Sequence, residues 1–298
     1  MKSVNNNFSK LTEKAAIGPN KYISILSIFL FMRIAILAQE EPVVLGPMII
    51  KLMERLKNEI CLVAVSGSRD GGKKVRGIGQ KLERLRIYWI IFEPKGFIKV
   101  LSRKIRWLLL SKLPRFFPNL GLSKHNSIKK SAAALKIKCI HFETLDTRIK
   151  RELEKSKPDV IINQTDFILD KTFLKIPMMG VISRHGSILP KFRGRMASFW
   201  SHFYGNEYGN TIHFVTKKID AGPIIMQRKC QIDNRLPFLE VMDILFNEGA
   251  IDLEKSIDKL RRKSFMPLPV RKQGGRFNKF PNLYEAMLYR RIIHGRRN

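Results

Sequence analysis

Acidic residues are scarce. Only 25 Asp and Glu stand against 56 Lys and Arg in 298 residues, a formal net charge of +31. Such an imbalance says nothing about the fold, but it predicts an anionic partner: nucleic acid, a membrane surface or a phosphorylated substrate. Cysteine is rarer still. Cys61, Cys139 and Cys230 are odd in number and form no CxxC pair, which argues against a disulfide framework and a thiolate zinc site and fits a reducing compartment. His141, His202 and His213 lack ligand-like spacing with carboxylates or thiols, so no metal is predicted. No GxxxxGK[ST] string accompanies Lys73, Lys74 and Arg76, which read as a solvated loop. Long apolar runs are missing too: Ile23 to Met32 is the strongest, short of the roughly 20 residues a transmembrane helix needs. Residues 1–31 therefore read as a poorly ordered extension. Together these features place the protein in the cytoplasm, with a peripheral membrane association left open.

What is present is an α/β pattern. Short apolar runs alternate with helical periodicity: RIAILAQ, then a helix opened by Pro47, then ICLVAVS, and later the strand-like KCIHF, PDVIINQ and GVISRH, with TIHFV and PIIMQRK as two more strand candidates. Strands without polar alternation are buried on both faces, so the expectation is a Rossmann-like, doubly wound, mostly parallel sheet. Helices are expected over Asp146 to Lys157 and Phe238 to Arg262, and Phe199, Trp200 and Phe203 read as helix core.

The charge is unevenly placed. Pro94 to Phe142 holds twelve Lys/Arg and no acid, and Arg261 to Asn298 holds eleven against Glu285 alone. The predicted organisation is an extension over 1–31, a catalytic domain over 32–262 with a basic helical insert at 94–142, and a basic C-terminal tail over 263–298. Within the insert, Lys95, Lys99, Arg103 and Arg106 share one helical stripe, and Phe97, Leu101, Ile105 and Leu108 a neighbouring one. Packing of the apolar stripe on the domain is the favoured reading, and docking on RNA or an anionic membrane is the alternative.

The chemistry concentrates in Pro177 to Gln227. A strand delivers His185 to its C-terminal end, where open α/β sheets bind ligands, and a Lys-Ile-Asp-Ala-Gly turn later presents Asp220. Alone, His185 reads as a core histidine and Asp220 as a turn aspartate. The ordered string Ser183-Arg184-His185-Gly186-Ser187-Ile188-Leu189-Pro190-Lys191-Phe192-Arg193-Gly194, followed by Asp220-Ala221-Gly222, is more specific. It resembles the formyltransferases that use N10-formyltetrahydrofolate: the glycinamide ribonucleotide, methionyl-tRNA and amino-sugar formyltransferases. The likeness is close over about fifty residues and looser from Met32 to about Asp233.

The resemblance implies acyl transfer with N10-formyltetrahydrofolate as donor. His185 would shuttle the proton, Asp220 would orient it, and Ser187, Ile188, Leu189, Pro190, Arg193 and Gly194 would line the folate side. Ser183 stands where the family has an Asn whose amide steadies the oxyanion. One such donor can be worth about 2.7–4 kcal/mol, so an active but slowed enzyme is expected, and a catalytically impaired binding module is the alternative. Methionyl-tRNA enzymes carry a further C-terminal domain that the residues after Asp233 do not resemble. The favoured acceptor is therefore a primary amine on a phosphorylated or nucleotide-linked small molecule, an amino sugar among them, with methionyl-tRNA as the alternative.

Overall fold

The structure, a computed structural model, describes residues 31–67, 77–112, 127–205, 207–262 and 275–298. The predicted extension at 1–31, the Lys73–Arg76 loop and the first part of the basic tail fall almost wholly outside these residues. Residues 33–298 form one unit built on a seven-stranded sheet. Its strands are β1 (Ile34–Gln39), β2 (Ile60–Ser66), β3 (Cys139–Phe142), β4 (Val160–Gln164), β5 (Gly180–His185), β7 (Tyr208–Phe214) and β8 (Ile224–Cys230). They lie in the order β3-β2-β1-β4-β5-β7-β8. The first five run parallel; β7 is antiparallel to β5, and β8, antiparallel to β7, returns to the common direction. All six residues of β1 are buried, because helices cover both faces of the central strands. The order reverses between β1 and β4, and that crevice is where such sheets take ligands.

On one face, Ala35, Leu37, Ile161 and Val181 pack under Ile149 and Leu153 of α4 (Thr147–Ser156) and Phe173 of α5 (Lys171–Leu174). On the other lie α1 (Leu45–Arg55) and the long α7 (Phe238–Arg261), packed against each other. A second core joins α2 (Ile78–Lys112), α6 (Ala197–Phe203), α7 and α8 (Leu283–Arg297). At its centre Tyr289 of α8 sits 4.9 Å, ring to ring, from the buried Phe199 of α6. Phe199, Trp200 and Phe203 are thus core, as their helical spacing predicts.

α2 is two helical stretches that meet in a kink at Glu93 (φ 60°), where the residue before a proline leaves the α region, so the basic helix begins at Pro94, close to the Lys95 of the sequence reading. Three features differ from that reading. Of the apolar stripe on this helix only Phe97 packs on the core: Leu101, Ile105 and Leu108 are exposed, whereas Val100 is buried and Arg103 turns toward α7. The Arg103 guanidinium is bidentate to Asp243, at 2.6 and 2.7 Å, and donates to the Val43 carbonyl. The planar fork suits a paired carboxylate better than a lysine would, and this pair decides which face looks inward. The end of the expected insert is regular sheet architecture: α3 (Ile128–Ala134), capped by Ser127, leads into β3. The basic tail, lastly, is partly core. Asn282 and Glu285 form a reciprocal capping box that starts α8, which buries Ala286, Tyr289 and Ile293. A short parallel pair, β6 (Phe192–Gly194) with β9 (Arg276–Asn278), ties this segment to the loop after His185. Among the described residues no helix is long and apolar enough to cross a membrane.

Candidate active site

Side-chain alternation sorts the β5 residues. Ser183 and His185 project to one face, and Arg184 to the other. Arg184 is buried toward α7: its guanidinium lies 4.0 Å from the Phe246 ring and donates to Asn210 Oδ1 at 2.9 Å. Burial pushes it down to about 10. Arg184 therefore cannot stand in for a donor beside Ser183.

His185 Nδ1 faces Asp220 Oδ1 at 3.4 Å, and both side chains are largely buried. Its other nitrogen, Nε2, donates to the Phe192 carbonyl at 2.6 Å. Because Nε2 gives its proton to the Phe192 carbonyl, Nδ1 is the nitrogen left to exchange one, beside the Asp220 carboxylate. Asp220 is fixed from behind, because its Oδ2 accepts the Gly194 N–H at 2.7 Å. The turn is tight: Asp220 has φ 50°, and a Cβ on Gly222 would lie 1.8 Å from the Phe214 carbonyl oxygen. Only glycine permits that approach.

Arg193 and Gly194 are brought to this turn. Arg193 Nη2 donates to the Ile219 carbonyl at 2.6 Å. The Ser187–Pro190 loop looks inward. Ser187 and Leu189 are buried, Ile188 and Pro190 half-buried. The Ser187 hydroxyl donates to Phe192 O, and the Leu189 N–H and carbonyl are taken by Thr211 Oγ1 and Gln227 Nε2. The Leu189–Pro190 peptide is cis.

Two residues that sequence reasoning passed over also converge here. His213 of β7 lies directly opposite Ser183. Its Nδ1 donates to the Phe214 carbonyl, leaving Nε2 without a hydrogen-bond partner 3.9 Å from Asp220 Oδ1. Burial, with His185 adding to it, pushes this imidazole below its ordinary value. The second is Gln164, at the end of β4, whose Nε2 donates to the Asn163 carbonyl at 2.8 Å and to Ser183 Oγ at 3.2 Å. The alternating pattern of TIHFV carried a signal for His213, since it puts Thr211 and His213 on one face. For Gln164 nothing but the strand order placed it beside β5.

A cavity of about 460 Å³ opens beside the end of β1, lined by Glu40, Val43, Met48, Arg106, Trp107 and Phe246 among others. It adjoins the sheet's switch point and does not include His185 or Asp220. Next to it, Glu41 caps α1 with its own carboxylate, which accepts the N–H groups of Val43, Val44 and Leu45 at 2.8, 2.9 and 3.0 Å. No cluster of three or more His, Cys, Asp or Glu suited to a metal occurs among the described residues.

The geometry couples an imidazole to an anchored carboxylate beside a hydroxyl, a set able to move protons during acyl transfer. A family model described as formyl transferase matches residues 97–246, half of the chain. The chain belongs to the formyl transferase family. Among curated proteins it is 32% identical over 151 residues to the methionyl-tRNA formyltransferase of Clostridium beijerinckii, which covers 50% of this chain and 46% of that one. It spans about half the length of the curated relatives it matches. Two solved formyltransferases share the fold. The phosphoribosylglycinamide formyltransferase of Anaplasma phagocytophilum superposes with a TM-score of 0.53 at 14% identity, over 84% of this chain and all of that one. A sugar 3-N-formyltransferase superposes with a TM-score of 0.51 at 15% identity, over 87% and 78%.

Proposed function

We propose that this protein transfers a formyl group from N10-formyltetrahydrofolate to a primary amine on a phosphorylated or nucleotide-linked small molecule of the amino-sugar class. The observation that carries the reading is the His185–Asp220 pair at the end of β5 in a member of the formyl transferase family. Formyl transfer needs a base for the attacking amine, an acid for the departing folate nitrogen and a donor for the oxyanion between them. His185 serves the first two in turn: as the amine nitrogen bonds to the formyl carbon, His185 receives its proton, and it returns that proton to N10 as the carbon–nitrogen bond to folate breaks. Asp220, held by the Gly194 amide, keeps the ring oriented and offsets its charge. Ser183, half-exposed beside it, supplies the oxyanion donor.

For the acceptor, Arg106 supports an anionic small molecule. It is exposed at the cavity beside β1 and carries no ion pair among the described residues. The Val43, Val44 and Leu45 amides at the entry to α1 are already taken by Glu41, so Arg106 is the better receptor there for a phosphate.

A second reading, with methionyl-tRNA as acceptor, is supported by the names of the matched curated relatives and the net charge of +31. One assay separates them. Purified protein is given formyltetrahydrofolate with a panel of nucleotide-linked amino sugars or with methionyl-tRNA, and formyl release is followed. Turnover on a sugar amine, lost in His185→Ala, is expected. Turnover on the charged tRNA alone, weakening steeply with salt, would establish the second reading, and release with no acceptor would remove both.

A further inference from the structure

Gln164 has no place in the scheme above, yet its side chain ends on the group that the scheme asks to hold the oxyanion. Its orientation is fixed by its surroundings. Nε2 lies 2.8 Å from the Asn163 carbonyl and 3.5 Å from the Arg184 carbonyl, and a carbonyl can only accept. The end of the carboxamide that faces β5 is therefore the NH₂ group, and a flipped amide would set oxygen against oxygen. Given that orientation, the bond to Ser183 Oγ at 3.2 Å has one direction, with the amide donating and the hydroxyl accepting. The Ser183 proton is left without an acceptor among the described residues, on the same face of β5 as His185.

We infer that Gln164 is a positioning residue. It pins the Ser183 hydroxyl so that its O–H points at the formyl oxygen and turns a freely rotating hydroxyl into a preorganised oxyanion donor. A serine reaches less far than a carboxamide, and a free rotor must be ordered at the moment of reaction. A fixed one avoids that ordering and is further polarised by the hydrogen bond it accepts. The carboxamide lacking at position 183 thus acts one strand away, through the hydroxyl. This proposal rests on the formyl-transfer reading, and its test is built to fail separately from it.

The experiment compares wild type, Gln164→Ala, Ser183→Ala, their double variant, and Ser183→Asn with and without Gln164→Ala. Gln164→Ala and Ser183→Ala should each lower kcat by about 10²-fold, with KM for the formyl donor little changed, as for loss of one oxyanion donor. The double variant should fall no further, since the two act as one unit. In the Ser183→Asn background, where an amide donates directly and no hydroxyl is left to hold, Gln164→Ala should change the rate by no more than about twofold, the non-additivity that marks two coupled residues. Retained kcat in Gln164→Ala, or multiplying losses in the double variant, would overturn the proposal.

A second readout needs no acceptor. The infrared carbonyl stretch of a bound ¹³C-formyl folate analogue should lie lower in wild type than in solution, and Gln164→Ala and Ser183→Ala should both raise it. An unmoved band in Gln164→Ala would overturn the role of Gln164 while leaving formyl transfer standing. A wild-type protein that binds no formyl folate at all would sink both.

Discussion

Ser183 on β5 and His213 on β7 are cross-strand partners. That single register line puts the hydroxyl, the unpartnered imidazole nitrogen and, two residues on, His185 on one face of the sheet. The β7–β8 ladder shifts register immediately beside it, between Ile212 and His213. Such irregularities re-aim side chains next to sites, and here the shifted position carries the second imidazole. The cluster is therefore a property of strand pairing, and a slip of one residue would replace His213 by Ile212.

Asp220→Asn should separate anchoring from charge. The carboxamide oxygen can still accept the Gly194 N–H, and Asn tolerates the positive φ as well as Asp does. What is lost is the negative charge facing His185. The expected result is a fall in kcat of about 10²-fold or more, with a thermal midpoint close to wild type. A variant as active as wild type would show that Asp220 only shapes the turn.

Glu41→Ala should trade stability for an anion site. The carboxylate satisfies three amides at the start of α1, so its removal should cost about 0.5–2 kcal/mol in denaturant unfolding, as for other lost caps. The freed amides and the helix dipole then face the cavity and invite a phosphate. Inorganic phosphate should raise the melting temperature of the variant more than that of wild type. Equal effects would show that the amides find another partner.

His202 should govern part of the acid sensitivity. Burial, with help from Arg296 and Arg297, pushes its imidazole from 6.5 down to about 3, and the ring bonds the Tyr289 hydroxyl at 2.9 Å. Between those values the unfolded chain takes up a proton that the folded chain refuses. The stabilisation is complete above pH 6.5 and is lost as the pH falls toward 3, with a limiting slope of about 1.4 kcal/mol per pH unit. His213 adds a slope of the same sign, so the measurement compares wild type with His202→Asn by chemical denaturation across this range. The variant should show the shallower dependence, and parallel curves would exclude His202 as the cause.

The sheet was legible because its strands are continuous apolar runs, and β2 matches ICLVAVS residue for residue. His185 and Asp220 were legible as an ordered motif, although nothing in their separation says that they meet. The outward turn of α2 was not legible. Leu101 and Ile105 have the spacing of a packed stripe, and only the pairing of Arg103 with Asp243, a residue of α7, decides which side faces in. Tyr289 was hidden in another way, since a basic segment that supplies three buried side chains has the composition of a tail. Gln164 was invisible because contacts between neighbouring strands are set by topology, and the chain between β4 and β5 carries no mark of them.

The packing of Tyr289 against Phe199 also bears on the order in which the molecule is assembled. A nascent polypeptide that has left the ribosome only as far as α7 already holds every strand of the main sheet, yet the aromatic centre between α2, α6 and α7 is still missing its largest fully buried side chain. Until α8 emerges, Phe199 and Phe238 are open to water or to other hydrophobic surfaces, so during synthesis this half of the molecule is where chaperones would have most to shield.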